Sequence, residues 1–178
     1  MSNGEWRILE SKKTTYRFFE IVEEKVATTQ GREVRMEYAR MPAGVCILPL
    51  LDDGRSVVCL RQYRHAIRSW QWELPAGGVE VGVDPLEMAK RELAEETGYR
   101  AASWTSLGEV YPSFGSTDQL LYLYAAEGLT PGEQQLEAGE ELEVVVLPME
   151  RFRELVVGGE MRHGAGLACI ARWWGMGK

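Results

Sequence analysis

The chain has 178 residues, 45% of them apolar and 26% charged, with a formal net charge of −7. That length and balance suit one domain with a real core, or one domain with a small appendage. The acidic balance excludes the basic stripe of a nucleic-acid surface. No apolar run is long enough to span a bilayer, and Met1 to Glu10 lack the apolar stretch of a secretion signal. A cytoplasmic protein without nucleic-acid or membrane partners is expected. Cys46, Cys59 and Cys169 stand apart among apolar neighbours, which reads as buried reduced thiols rather than a disulfide framework.

In chain order, Glu5 to Arg40 reads as strands. Tyr16 to Val26 is rich in aromatic and β-branched residues, Thr28 to Gly31 is a turn, and Glu33 to Tyr38 alternates again, predicting a hairpin. Such an arm has too little core to stand alone and must pack on the rest of the chain or on a second subunit. The expected organisation is an arm over 1–43 and a main domain over 44–178. Val45 to Leu50 and Ser56 to Tyr63 are predicted strands joined by an Asp52-Asp53-Gly54 turn. Trp72 to Leu74 leads into a loop of small residues, Pro75 to Gly78.

Asp84 to Thr97 is the clearest helix. Asp84 suits the N-cap, Pro85 the first helical position, Glu87 a capping box and Gly98 the residue past the end. Leu86, Ala89 and Leu93 form its apolar stripe. Strands are predicted near Leu107 to Tyr111, Gln119 to Ala126 and Leu142 to Leu147. An acidic loop spans Thr130 to Glu141. Helices are predicted over Met149 to Val157 and Gly164 to Trp174, the last with Leu167, Ile170, Ala171 and Trp174 on one side. Strands and helices without strict alternation predict an α/β fold, a mixed sheet with helices on its faces. His65 and His163 have no partners at ligand spacing, so surface or satisfied core roles are expected.

The chemistry lies in Gly77 to Tyr99. Glu92, Glu95 and Glu96 fall at i, i+3 and i+4, on one side of the helix. Like charges so spaced cost stability, more so in the C-terminal half where the helix dipole disfavours them. Arg91 offsets part of this through expected pairs with Glu87 and Glu95. A solvated acidic face would explain two such glutamates. A hard-cation site explains three beside a loop that offers backbone carbonyls. An acidic protein also needs local positive charge to hold a phosphate substrate, and bound cations supply it.

Gly77, Arg91, Glu92, Leu93, Glu95, Glu96, Gly98 and Tyr99 resemble the Nudix box, G-x5-E-x7-R-E-U-x-E-E-x-G-U with U apolar. At usage of about 6% per fixed residue, chance recurrence in such a chain is roughly one in 10⁵. Val83 stands where the box has its first Glu; Glu80 or Asp84 could serve from next door. The resemblance implies a Nudix-type mixed β-sheet sandwiched between helices. It also implies Mg²⁺ or Mn²⁺ as cofactor, with Glu92, Glu96 and the Ala76 carbonyl as ligands, and Glu95 as a third ligand or orienting, catalytic carboxylate.

Further likeness extends to the ADP-ribose pyrophosphatase branch, through Arg61-Gln62-Tyr63-Arg64, Trp72 to Gly77, Tyr111-Pro112-Ser113 and the N-terminal antiparallel β arm. It implies a homodimer built partly by the arm, and Arg64, Glu73 and Ser113 near the substrate. A late carboxylate is expected among Glu137, Glu140 and Glu141, with Glu140 favoured as a catalytic group. Phe114 and Gln119 depart from that branch's usual proline and acidic residue. The expected reaction is hydrolysis of the pyrophosphate of a nucleoside diphosphate linked to another group, foremost ADP-ribose to AMP and ribose 5-phosphate. Another nucleotide sugar such as GDP-mannose, or a non-catalytic nucleotide-sugar sensor, is the alternative.

Overall fold

A computed structural model describes residues 4–51, 54–136 and 139–177. Asp52 and Asp53 of the expected turn and Glu137 of the expected carboxylate trio lie outside the described residues. The chain groups into two compact units: residues through Pro42 with Tyr111–Leu120, and Ala43–Val110 with residues from Leu121 onward.

The first unit is a three-stranded antiparallel sheet of β1 (Arg7–Thr15), β2 (Glu20–Ala27) and β3 (Glu33–Arg40), in that order. The turn at 28–31 forms as expected, closed by Gly31 N–H donating to the Thr28 carbonyl at 2.9 Å. The strand expected from Tyr16 starts four residues later instead, because Tyr16 to Phe19 is itself a turn, closed by the Tyr16 N–H on the Phe19 carbonyl. The 111–120 segment joins β3: Asp118 accepts from the Met41 N–H at 2.9 Å and from Arg40 at 3.2 Å.

The second unit is a mixed sheet of seven strands. These are β4 (Gly44–Leu51), β5 (Ser56–Arg64), β6 (Ser69–Glu73), β7 (Ala76–Gly78), β8 (Tyr99–Val110), β9 (Leu121–Pro131) and β10 (Leu142–Pro148). The order is β10-β5-β4-β9-β8, with β6 on β5 and β7 on β4. β4 and β9 are parallel; the other pairs are antiparallel. The small residues after Pro75, expected as a loop, pair with β4 as β7. β8 begins at Tyr99, directly after the helix, eight residues earlier than its hydrophobic pattern suggested.

Helices α1 (Pro85–Thr97), α2 (Met149–Val157) and α3 (Gly164–Gly175) complete the unit. β4 is apolar throughout because both its faces are covered. Cys46, Leu48 and Leu50 join Phe152 of α2 and Cys169 and Ile170 of α3 in one core. Val45 and Ile47 join Met88, Ala89 and Leu93 of α1 in another. The buried face of α3 is Ala165, Gly166, Cys169, Ile170 and Trp173. That corrects the expected stripe of Leu167, Ile170, Ala171 and Trp174: the helix is rotated so that Trp173 enters the core and Arg153 lies over Trp174. All three cysteines are free and buried. Among the described residues no helix is long and apolar enough to cross a membrane.

Candidate active site

Helix α1 starts where its caps dictate. Asp84 accepts from the Leu86 and Glu87 N–H groups, Pro85 follows, and Gly98 closes the helix at φ 75°. Glu87 does not complete a capping box; it pairs with Lys90 at 2.6 Å. The apolar edge docks on β4 through Met88, Ala89 and Leu93, with Met88 buried where Leu86 was expected. Docking that edge turns the adjoining Glu92 and Glu96 toward the 75–78 segment.

Both glutamates meet backbone there. Glu96, 3% exposed, accepts from the Ala76 N–H at 2.9 Å. The Glu92 carboxyl lies over Gly77 so closely that a Cβ on Gly77 would stand 2.0 Å from it. Pro75 accepts from Ile47, and Val79 donates to Ala43, so alternate residues of this segment face β4. Ala76, between them, therefore directs both its N–H and its carbonyl away from β4, and the N–H meets Glu96.

Arg64 and Glu73 form a two-pronged ion pair at 2.8 and 2.6 Å, with Glu73 almost fully buried. Antiparallel register places Leu60 opposite Glu73 and Leu142 opposite Gln62. Arg64, Gln62 and Glu73 thus share one face of the sheet, and Glu140 continues that register toward Arg64. Burial pushes the Glu96 carboxyl up to about 8; Glu92 and Glu140 add to the rise, while the Ala76 N–H and Arg64 oppose it. Glu73, Glu96 and Glu140 all favour the charged Arg64 in turn. Glu92, Glu96, Glu140, Arg64 and Glu73 therefore make one electrostatic cluster.

The remaining expected residues have these surroundings. Glu95 lines a cavity with Glu87, Lys90, Arg91 and Arg100. Glu141 is exposed and gives its carbonyl to the Tyr63 N–H. Ser113 lies in the first unit, in a turn where its hydroxyl meets that of Ser116 at 2.7 Å. Arg91 pairs with Glu80 at 2.6 Å, not with Glu87 or Glu95 as expected. Val83 packs against the α1 core instead of facing Arg91. Two contributors were missed. Gln134 donates to the Glu96 carbonyl at 2.6 Å and the Gln135 N–H to the Glu95 carbonyl at 2.9 Å. They satisfy carbonyls that a helix end leaves open, pairings across 38 and 40 residues that no local signal announces.

The residues fit a hard divalent cation. A carboxyl held up by burial and by neighbouring carboxylates is one whose ionised form a cation would stabilise. Among the described residues no three acidic, His or Cys side chains converge into a ready cage. Mg²⁺ does not need one, since it commonly keeps several waters and takes one or two carboxylates.

Residues 40–167 match the model of the NUDIX domain. The chain belongs to the Nudix family. It is 32% identical over 140 residues to an ADP-ribose pyrophosphatase of Bacillus subtilis (strain 168), covering 78% of this chain and 75% of that one. It is 31% identical over 131 residues to a GDP-mannose pyrophosphatase of Shigella flexneri, covering 68% of each. A crystal structure of an ADP compounds hydrolase superposes with a TM-score of 0.82 at 23% identity, over 99% of this chain and 97% of that one, confirming the Nudix fold. Family and relatives together make this a Nudix pyrophosphohydrolase, ADP-ribose pyrophosphatase-like in sequence. Nudix hydrolases in general use divalent metal ions.

Proposed function

We propose that this Nudix protein hydrolyses ADP-ribose to AMP and ribose 5-phosphate with Mg²⁺ or Mn²⁺. The observation that carries the reading is the cluster of Glu92, Glu96 and Glu140 beside the Arg64–Glu73 pair. Glu92, Glu96 and the Ala76 carbonyl would hold the metal. Bound there, it supplies positive charge against the pyrophosphate and lowers the pKa of water. Arg64, oriented by Glu73, would bind a phosphate oxygen, since a guanidinium fork retains donors after pairing one carboxylate. Glu140 is the group on this face assigned to take a proton, and Glu95 is assigned to orient its neighbours from the outer side of α1.

The identity to an ADP-ribose pyrophosphatase supports the substrate. The GDP-mannose pyrophosphatase relative supports a second reading, hydrolysis of another nucleotide sugar. The test offers ADP-ribose and GDP-mannose separately with Mg²⁺ or Mn²⁺ and measures phosphate freed by a coupled phosphatase. Metal-dependent turnover favouring ADP-ribose upholds the first reading. Preference for GDP-mannose replaces it with the second, and tight binding of either without turnover would make the protein a sensor.

A further inference from the structure

Four consecutive residues, running from Arg64's partner toward the α1 glutamates, each have a separate anchor. Glu73 holds Arg64 through its carboxylate, Pro75 gives its carbonyl to Ile47, and Ala76 gives its N–H to Glu96. The fourth anchor comes from 89 residues away: the Leu74 N–H donates to Nδ1 of His163 at 3.3 Å. Leu74 is fully buried, where an unmet N–H would be costly. His163 is fixed at its other end as the residue heading α3, its carbonyl accepting from Leu167.

Gly166 makes the approach possible. A Cβ there would come within 3.1 Å of Nδ1 and 3.4 Å of the Leu74 side chain. Accepting a hydrogen bond requires a free lone pair on Nδ1, which a neutral imidazole with its proton on Nε2 supplies. Burial lowers the ring's pKa and so favours this neutral form; of the nearby charges, Glu73 opposes the shift and Arg64 assists it. His163 also lines, with Arg64, Glu73, Ser69 and Arg162, a cavity of about 530 Å³.

We propose that His163 is a positioning residue of this active site: by accepting the Leu74 N–H it keeps segment 73–76, and with it the Arg64 guanidinium and the Ala76 backbone, in register with Glu96. The inference rests on the catalytic reading above. It acts through geometry, where a displacement of about 1 Å can cost about a hundredfold in rate.

Two variants separate an acceptor from a filler. His163→Leu keeps bulk and loses the acceptor; His163→Asn can place an amide oxygen near the position of Nδ1. For His163→Leu the expected result is a fall in kcat of about ten- to a hundredfold with little change in KM. His163→Asn should recover kcat to within roughly threefold of the wild type. Equal losses in both variants, or an unchanged kcat in His163→Leu, would overturn the proposal. A third arm needs no variant and no substrate. Nitrogen NMR of the wild-type protein should show Nδ1 unprotonated at about pH 8. Exchange of the Leu74 amide should accelerate, relative to that of Ile47, as acid protonates the ring. A protonated Nδ1, or Leu74 exchange indifferent to the ring, also overturns it. A wild-type protein inactive on every nucleotide tested would sink the catalytic reading, and the NMR arm would still decide the Leu74 contact.

Discussion

Arg91 reaches back from the middle of α1 to Glu80, 2.6 Å away in the turn before the helix. Glu80 thus takes the arginine that the box glutamate, absent at Val83, would be expected to hold, and Val83 is free to pack on Met88 and its neighbours. Because both partners of the ion pair are largely exposed, Glu80→Gln should change stability by less than about 1 kcal/mol. Val83→Glu puts a charge against a core edge and should cost about 1–3 kcal/mol. Thermal melts of the two variants give the comparison. An unchanged melting temperature for Val83→Glu would refute its packing role.

Glu92→Gln and Glu96→Gln should each lower kcat by more than about tenfold, roughly 1.4 kcal/mol in the barrier, with the fold intact. Gly77→Ala probes the same geometry from the other side. Its Cβ would collide with the mobile end of Glu92 rather than with backbone. The protein should therefore fold normally but need more Mg²⁺ for half-maximal rate. Metal titrations of initial rate, beside circular dichroism, test all three. Unaltered metal dependence in Gly77→Ala would show that the Glu92 carboxyl has no part in holding the ion.

Glu96 predicts an unusual pH dependence. Its carboxyl is raised from 4.5 to about 8 by burial and by Glu92 and Glu140. A group whose folded-state pKa exceeds its unfolded value contributes stability fully below the unfolded pKa and loses it as pH rises through the folded one. Without divalent metal, the wild type should therefore lose stability between about pH 5 and pH 9 relative to Glu96→Gln. Mg²⁺ should restore it most at the alkaline end, where no proton need be displaced. Parallel melting curves for the two proteins across that range would contradict the assignment.

The first unit exposes Trp6, Ile8, Tyr16, Phe18, Phe19 and Met36, and β1 is an open edge of its sheet. Exposed apolar side chains on an unpaired edge invite a partner. We expect a homodimer formed partly by residues 5–40, weakened by Ile8→Glu. Light scattering at micromolar concentration should give twice the mass of the chain. A monomer with full activity would exclude this assembly.

The start and stop of α1, the spacing of its glutamates and the apolar run of β4 were legible in the residues alone, because each depends on neighbours within one or two helical turns or on strand period. Register and rotation were not. Trp173 rather than Trp174 enters the core because two helical stripes lie side by side, and only the facing sheet chooses between them. Glu95 and Glu96 are adjacent in sequence, yet one turns to Ala76 and the other lines the cavity with Arg100. Their spacing specifies a common side of a cylinder; the docking of Ala89 and Leu93 on β4 decides which of them meets the loop. Gln134, Gln135 and His163 reach the site from distant segments, and no local period encodes such hydrogen bonds. Chain folding alone brings an isolated histidine to the Leu74 N–H.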